Sequence, residues 1–499
     1  MNIEELIAFA KRRGLFWPSA EIYGGAAGTY DYGDVGALLK RNWENAWLAF
    51  FVDTNPDYHL IEGAVILPEA PLVFSGHAAK FNDVVVECSK CSTFYRADVL
   101  LKESGVAVSE GASSAQIDKE LKEHKVRCPH CKAVAWMPSK PFNMMMDVGL
   151  GPERATKGYL RPETAQSAYL NFFREFNVLR KSLPLGLAII GRAFRNEISP
   201  RQGLYRMREL VQAELQIFFD PESWKVDFKS VSGRKVKVRL YGKAADETVT
   251  LGELVKEHGI PEFYAYHMGL IDAFYRDAIG VPEGKLRFLE KGGDEKAFYN
   301  KVHMDIEADI ESWGGFNEIG GLHYRGDYDL TQHSKGSKQD HSVLANGKKV
   351  MPNVLELSFG VDRNVWMLAD MFYKKDGERA VLQIKPFLAP FKAALFSLQK
   401  EPELDIAVGE LYKALRPHFK LFLDQSGSIG RRYARMDEIG TPFCITVDYD
   451  TVSKDSPNYG TVTVRSRDDR KQIRLKVSEL EGYISKAITF NPYDFFAFD

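Results

Sequence analysis

Long apolar runs are missing from this chain of 499 residues. No stretch approaches the ~18 residues that a bilayer-spanning helix needs, which argues against a membrane partner. Cysteine is scarce, with five in all, too few for a disulfide scaffold in a chain of this size. Neither charge is in excess: 66 Lys and Arg stand against 68 Asp and Glu, a formal charge of −2. Any nucleic acid bound must therefore meet local basic patches, not a basic protein. Internal repeats and long low-complexity tracts are absent. The opening MNIEELIAFAKRRG is acidic where a signal peptide is basic, and reads as a short amphipathic helix built on Ile3, Leu6, Ile7 and Ala10. What these absences leave is a cytoplasmic enzyme of about three or four domains, at roughly 100–200 residues each.

What is present begins with helix and turn signals. Val35, Leu38, Leu39, Trp43, Ala46, Trp47 and Phe50 form one face of a helix of about four turns. The stretch before it, YGGAAGTYDYG (23–33), suits tight turns. Four cysteines fall as two CxxC pairs, Cys88/Cys91 and Cys128/Cys131. That spacing suits a structural zinc ion held by four thiolates, with no position open to substrate. Four free thiols are the alternative, and His124 and His130 are alternative ligands nearby. The bracketed segment, polar from Ser104 to Ser114, reads as an inserted module. Cys444 lies in an apolar strand and reads as a buried thiol.

From 186 to 219 the pattern turns to strands. GLAIIGRAFRNE is followed by a loop with Pro200 and Gly203, then by RELVQAELQIFF. In the second run Val211, Ala213, Leu215 and Ile217 point one way, and Gln212, Glu214 and Gln216 the other. This predicts an antiparallel hairpin with one polar face, carrying Arg195 and Glu197 on the first strand and Glu214 and Gln216 on the second. A third strand, NVLELSFGVDR (353–363), sets Glu356 and Ser358 against Leu355, Leu357 and Phe359. One reading of such a face is a solvated surface with ion pairs. The other is a platform with an arginine for phosphate and carboxylates for a cation. Residues 223–300 alternate basic strands such as KVKVRLYG with charged helical segments, and read as a second insertion without a legible motif. From about 385, strands and helices alternate (VLQIK, 403–416, FKLFLD, FCITVDY, GTVTVRS, 478–488), predicting a separate α/β domain.

FRNE (194–197) resembles the second signature motif of class II aminoacyl-tRNA synthetases, and GVDR (360–363) resembles the third. The glycyl-tRNA synthetases of the dimeric type are matched block by block. YGGAAGTYDYG, SGH (75–77), YLRPETAQ (159–166), AFRNEISPR (193–201), RGDYDL (325–330) and GSIGRRYARMDEIGTPFCITVD (427–448) follow that family's order. The resemblance covers most of the chain outside the two insertions. It implies an α+β catalytic domain on a mainly antiparallel sheet (1–87, 141–222 and 301–384) and a zinc-binding insertion at 88–140. A second insertion at 223–300 and a C-terminal α/β anticodon-binding domain at 385–499 complete the division. A twofold homodimer through helix 35–50 is implied as well, although Trp43 and Trp47 read equally as core. Asp34 stands where the family usually has Pro.

The implied partners are glycine, ATP with Mg2+, and tRNA-Gly. Glycine is activated to glycyl-adenylate with release of pyrophosphate, then passed to the terminal adenosine of the tRNA. Both reactants of the first step are anionic, and the resemblance makes Arg195 and Arg363 catalytic. Arg195 would neutralise the α-phosphate and the incoming carboxylate; Arg206 and Arg363 would hold the distal phosphates and stack on adenine. Glu197 would read the adenine amino group, and Glu318 of FNEIGG would line the ATP site. Asn196, Tyr205, Met207, Arg208, Glu209 and Leu210 belong to the same implied ATP set, as do Ile319, Gly360, Val361 and Asp362. The glycine carboxylate is already ionised, so activation needs no side-chain nucleophile or general base.

Glu163, Glu214 and Glu356 match the family's three ammonium-binding carboxylates, Ser358 its serine beside the α-carbon, and Arg96 another substrate-side residue. Leu210, Val211, Gln212 and Ala213, with Leu357, Phe359 and Gly360, complete the implied glycine set. A buried carboxylate cluster without a cation is costly, which argues against a purely structural role for all three. Leu210 stands where the family usually has an aromatic ring, Gln216 where it has Glu, and Leu357 where it has Pro. In the 427–442 block Arg431, Arg432 and Arg435 are implied tRNA contacts; a charged solvent-facing helix, or a phosphate held at the helix N-terminus, are the other readings. His77 and His333 read as structural, and the tail FNPYDFFAFD has no assigned role. Two rivals stand beside the glycyl reading. One is a class II synthetase for proline, threonine, histidine or serine. The other is a catalytically silent accessory protein that binds nucleic acid, against which Arg195, Glu197 and Arg363 argue by being present.

Overall fold

The computed structural model describes residues 1–108, 112–180, 182–200, 202–292, 300–377 and 379–496. Arg201, the end of the aromatic tail, and parts of the 104–114 and 223–300 stretches lie outside the described residues.

A sheet of nine strands organises the chain. In chain order these are β1 (Tyr58–Leu60), β2 (Leu185–Phe194), β3 (Glu209–Phe219), β4 (Lys235–Arg239), β5 (Glu247–Thr250), β6 (Leu286–Glu290), β7 (Val302–Ile310), β8 (Gly315–Gly326) and β9 (Asn353–Gly360). Their spatial order is β5-β4-β6-β7-β8-β9-β3-β2-β1. The pairings are antiparallel except β1 with β2 and β4 with β6. The alternation read in the sequence sets the faces: Ala213, Leu215, Ile217, Leu355, Leu357 and Phe359 are all buried on one side.

That side is covered by α1 (Asp34–Phe51), an 18-residue helix opened by the turn before it. Trp43, Trp47 and Phe50 are fully buried, with Trp47 5.8 Å and Phe51 5.1 Å from the Phe359 ring. Each such ring contributes roughly 1.5–3 kcal/mol by leaving water. The stripe of α1 is therefore core within one chain. A second helix, α2 (Ala165–Val178), caps the other face over β2 and β3, stacking Phe172 on Phe218 at 4.2 Å.

The stretch 223–300 is built into this sheet. It supplies β4, β5 and β6 on one edge, and its helix α3 (Glu262–Ala273) runs into Phe274, which packs 5.3 Å from Phe50 and 5.9 Å from Trp43. The hairpin also differs from its expected form. β2 ends at Phe194, so Arg195 and Glu197 lie in the connection to β3, not on the strand. The cause is a change of partner: Asn196 N–H leaves the ladder and donates to Met144 O at 2.7 Å.

The segment around the four cysteines has its own small core of Val86, Leu100, Leu101, Ile117, Leu121 and Val126. At the C-terminal end, five strands form a second sheet, three parallel (Leu421–Leu423, Ala393–Ser397, Phe443–Val447) and two antiparallel (Thr461–Ser466, Gln472–Lys476). The VLQIK stretch stays outside it, because Arg379–Leu382 pairs with Tyr373–Asp376 as a separate hairpin.

Candidate functional site

The polar face of the central strands opens into a cavity of about 220 Å3. Strand register decides what lines it. Glu214 lies opposite Ser358 and Gln216 opposite Glu356 across β3 and β9, and His323 of β8 lies opposite Glu356. Glu163 comes from the loop entering α2, next to the fully buried Thr164. At the other end, beyond Gly360, stand Arg363 and, from the β2–β3 connection, Arg195 and Glu197. Glu214 and Leu210 are four residues apart on one strand, so carboxylate and arginine ends are separated by about 13 Å.

The carboxylate end carries more negative charge than positive. Arg325 donates to Glu356 Oε2 at 2.8 Å and to Asp329 at 2.9 and 3.2 Å, and lies 3.9 Å from Glu163. Glu214 has hydroxyl partners instead of a cation: Thr164 donates at 2.6 Å and Ser358 at 2.9 Å. Burial, then the Glu356 and Glu163 charges, push its carboxyl up to about 8. Burial raises Glu356 too, Arg325 opposing it. Glu163 goes the other way. Burial works against its ionisation, but His77 and Arg325 overcome that and hold it well below the usual carboxylate range. Gln216 donates to Glu356 at 2.9 Å and accepts from Tyr169 at 2.8 Å. A glutamate in its place would add another charge to the cluster.

The arginine end is preorganised. Arg363 stacks 4.7 Å over Tyr205, donates to Tyr205 O at 3.2 Å and Glu318 O at 3.0 Å, and pairs with the Glu318 carboxylate at 3.1 Å. Arg195 donates to Pro162 O at 3.2 Å and lies 5.5 Å over the Phe81 ring. Asp362 accepts from the Tyr32 hydroxyl and the Val211 N–H, both at 2.6 Å, tying the YGGAAGTYDYG block to the base of the cavity. A site with ammonium-type acceptors at one end and fixed guanidinium groups at the other suits an amino acid joined to a phosphate ester.

Residues 152–372 match the family model of the tRNA synthetase class II core domain (G, H, P, S and T), and residues 392–487 match that of the anticodon binding domain. The chain is 37% identical to the glycine–tRNA ligase of Pyrococcus furiosus, over 97% of this chain and 99% of the relative. It is 35% identical to that of Thermococcus sibiricus, over 97% and 98%. The chain belongs to the glycine–tRNA ligase family. A fold likeness extends further, to a prolyl-tRNA synthetase from Cryptosporidium parvum solved with L-proline and AMP. There the TM-score is 0.56 at 13% identity, covering 97% of this chain and 74% of that one.

Of the residues that the sequence singles out for this family's chemistry, the cavity lining gathers Glu163, Arg195, Glu197, Met207, Leu210, Val211, Gln212, Glu214, Glu318, Glu356, Ser358, Gly360, Asp362 and Arg363. Others stand outside the lining. Ala213, Ile319, Leu357, Phe359 and Val361 are fully buried in the core. Asn196 pairs with Met144, Arg208 donates to Glu197 O and Ala27 O, and Glu209 pairs with Arg192. Tyr205 and Arg206 are half-buried and outside the lining, Tyr205 under the Arg363 guanidinium. Arg96 is held by Asp98 at 2.8 Å and Asp83 at 3.2 Å. His77, Phe81, His323 and Arg325 also line the cavity, although the sequence pattern does not mark them as site residues. Their signal in the sequence is their place in or beside SGH and RGDYDL.

The four cysteines come together. Their sulfur atoms all lie within 4.8 Å of one another, with 3.6 Å between Cys88 and Cys131 and 3.7 Å between Cys91 and Cys128. Disulfides need about 2.05 Å, whereas tetrahedral Zn–S bonds of about 2.3 Å set sulfurs about 3.8 Å apart. The two CxxC turns are built alike, each followed by a left-handed residue, Ser92 (φ 55) and Lys132 (φ 62). The donor set therefore fits a metal ion.

In the anticodon-type domain the three arginines part company. They lie on the helix Ile429–Glu438. Arg432 is buried and donates to Ser397 O at 2.6 Å. Arg435 is half-buried on Asp424 at 2.6 Å, and Arg431 faces solvent. No described helix is long and apolar enough to cross a membrane.

Proposed function

We propose that this chain activates glycine with ATP and transfers it to tRNA-Gly. The observation that carries the proposal is the pairing, in one cavity, of three carboxylates, two of them buried and Glu163 half-buried, with two guanidinium groups fixed before any ligand arrives. Glu163, Glu214 and Glu356 take the glycine ammonium, and Ser358 stands beside the α-carbon, where it refuses larger side chains. Arg195 bridges the glycine carboxylate and the α-phosphate, lowering the repulsion between two anions as they meet. Arg363 lies on one face of adenine and Leu210 on the other, with Glu197 reading the amino group. Mg2+ bound with ATP would neutralise phosphate charge, and Glu318 is the solvent-open carboxylate of the lining placed to share it.

Residues 88–140 form a zinc module whose Cys88, Cys91, Cys128 and Cys131 hold a structural ion. Residues 385–499 bind the anticodon, with Arg431 as the available contact and Arg432 as an internal strut. The protein works in the cytoplasm as a homodimer, through surfaces other than the buried rings of α1. Labelled glycine offered with ATP and a mixed tRNA pool tests the reading. Label should appear as an ester on tRNA-Gly alone; label on tRNA of another specificity would contradict it.

A further inference from the structure

His77 sits where the glycine pocket meets the ATP end, and its surroundings are built around it. Gly76, immediately before it, takes the left-handed φ of 91. Asn143 Nδ2 donates to His77 O at 3.3 Å and to Ala78 O at 3.0 Å, fixing that turn. The ring is 7% exposed and lies 5.6 Å from Phe81, the ring under Arg195. Nδ1 lies 2.8 Å from Ser75 Oγ, and Nε2 lies 3.5 Å from Glu163 Oε1.

The geometry on Glu163 is one-sided. Gln166 Nε2 at 2.9 Å, His77 Nε2 at 3.5 Å and Arg325 at 3.9 Å all converge on Oε1. Oε2 has no protein partner among the described residues and belongs to the cavity wall. Ser75 Oγ is within reach of both Nδ1 and Leu72 O, the latter 3.4 Å away. A Ser75 hydroxyl that donates to Nδ1 selects the tautomer whose Nε2–H faces Glu163.

We propose that His77 is a positioning residue for glycine recognition. By holding Oε1, it keeps Glu163 ionised among its acidic neighbours and turns Oε2 toward the substrate ammonium. The inference rests on the proposed use of Glu163 as an ammonium acceptor. The groups facing the ring are Ser75 on its own turn, Glu163 and Gln166 from the α2 end, and His333, itself bonded to Gln166 at 2.9 Å.

The test is amino-acid-dependent pyrophosphate exchange with His77→Phe, which keeps a ring and removes the donor, and His77→Gln, whose Nε2 can replace it. His77→Phe should raise the glycine KM at least about tenfold, with the ATP KM moving less than about threefold. His77→Gln should recover most of that loss. Ser75→Ala, a smaller change behind the ring, supplies the comparison if His77→Phe folds poorly, and should raise the glycine KM alone. An unchanged glycine KM in His77→Phe would overturn the inference. So would glycine and ATP KM rising together without recovery in His77→Gln, the mark of a packing role. Glu163→Gln separates the two levels: if it leaves the glycine KM unchanged, the ammonium reading itself is wrong.

Discussion

Glu214 is held by two hydroxyls instead of a cation, and its proton should be visible in the kinetics. Pushed up to about 8 by burial and by Glu356 and Glu163, it is protonated in the empty pocket at neutral pH. An ammonium favours the ionised form, so glycine binding should release a proton. The glycine KM should therefore fall as pH rises from 6 to 8, by up to about tenfold per unit, and level off above. Steady-state kinetics across that range check this, with the slope absent in Glu214→Gln. The same shift sets a stability sign. The folded-state value lies above the ordinary glutamate value of 4.5, so this group's contribution is full below 4.5 and is lost as pH rises through about 8. Glu214→Gln should melt progressively higher than the parent over that window. At the arginine end, Arg195→Ala and Arg363→Ala should each lower kcat/KM for exchange by about 10²–10³. Much of this site was legible, because strand alternation exposes which side chains share a face: Glu214, Glu356 and Ser358 follow from it. Arg325 and His77 did not, since their meaning depends on which carboxylate the fold brings to them.

Elements were legible where they are local. Helix α1 and strands β3 and β9 follow from periodicity alone. The 223–300 stretch did not read as part of the sheet, because edge strands alternate charged and apolar residues much as an exposed module does. Long-range strand pairing joins it to β7: β4 runs beside β6 from Val238 opposite Phe288, and β6 pairs with β7 from Leu286 opposite Ala308 to Glu290 opposite Met304. The opposite holds for the cysteine module, whose CxxC spacing announced its sulfurs but not its separate core. That separateness makes a prediction at this scale. Chelation, or Cys91→Ser, should release one zinc per chain and speed hydrogen exchange across 82–143, while amides of β3 and β9 stay protected. Loss of protection throughout the central sheet would contradict it.

At the scale of the whole molecule, the N-terminal helix Ile3–Arg13 joins the two large domains. Arg12 and Arg13 both pair with the buried Glu438 at the end of the helix that carries Arg431. Its neighbour Asp437 holds Arg379 and Arg465 at 2.8 and 2.9 Å. Contacts between residues 426 apart leave no trace in local pattern, so this junction could not be read from sequence. Glu438→Ala should cost roughly 1–2 kcal/mol, discounted because Arg12 is half exposed, and thermal melting checks it. Arg431→Ala should weaken tRNA charging while leaving pyrophosphate exchange intact, which separates the two domains' tasks.

The most direct test of the central claim is pyrophosphate exchange into ATP with glycine, alanine, serine, proline and threonine offered separately. The carboxylate pocket and Ser358 predict exchange with glycine alone. Exchange with a larger amino acid would contradict the pocket assignment. Its absence with all five, in folded protein supplied with magnesium, would contradict the catalytic account as a whole.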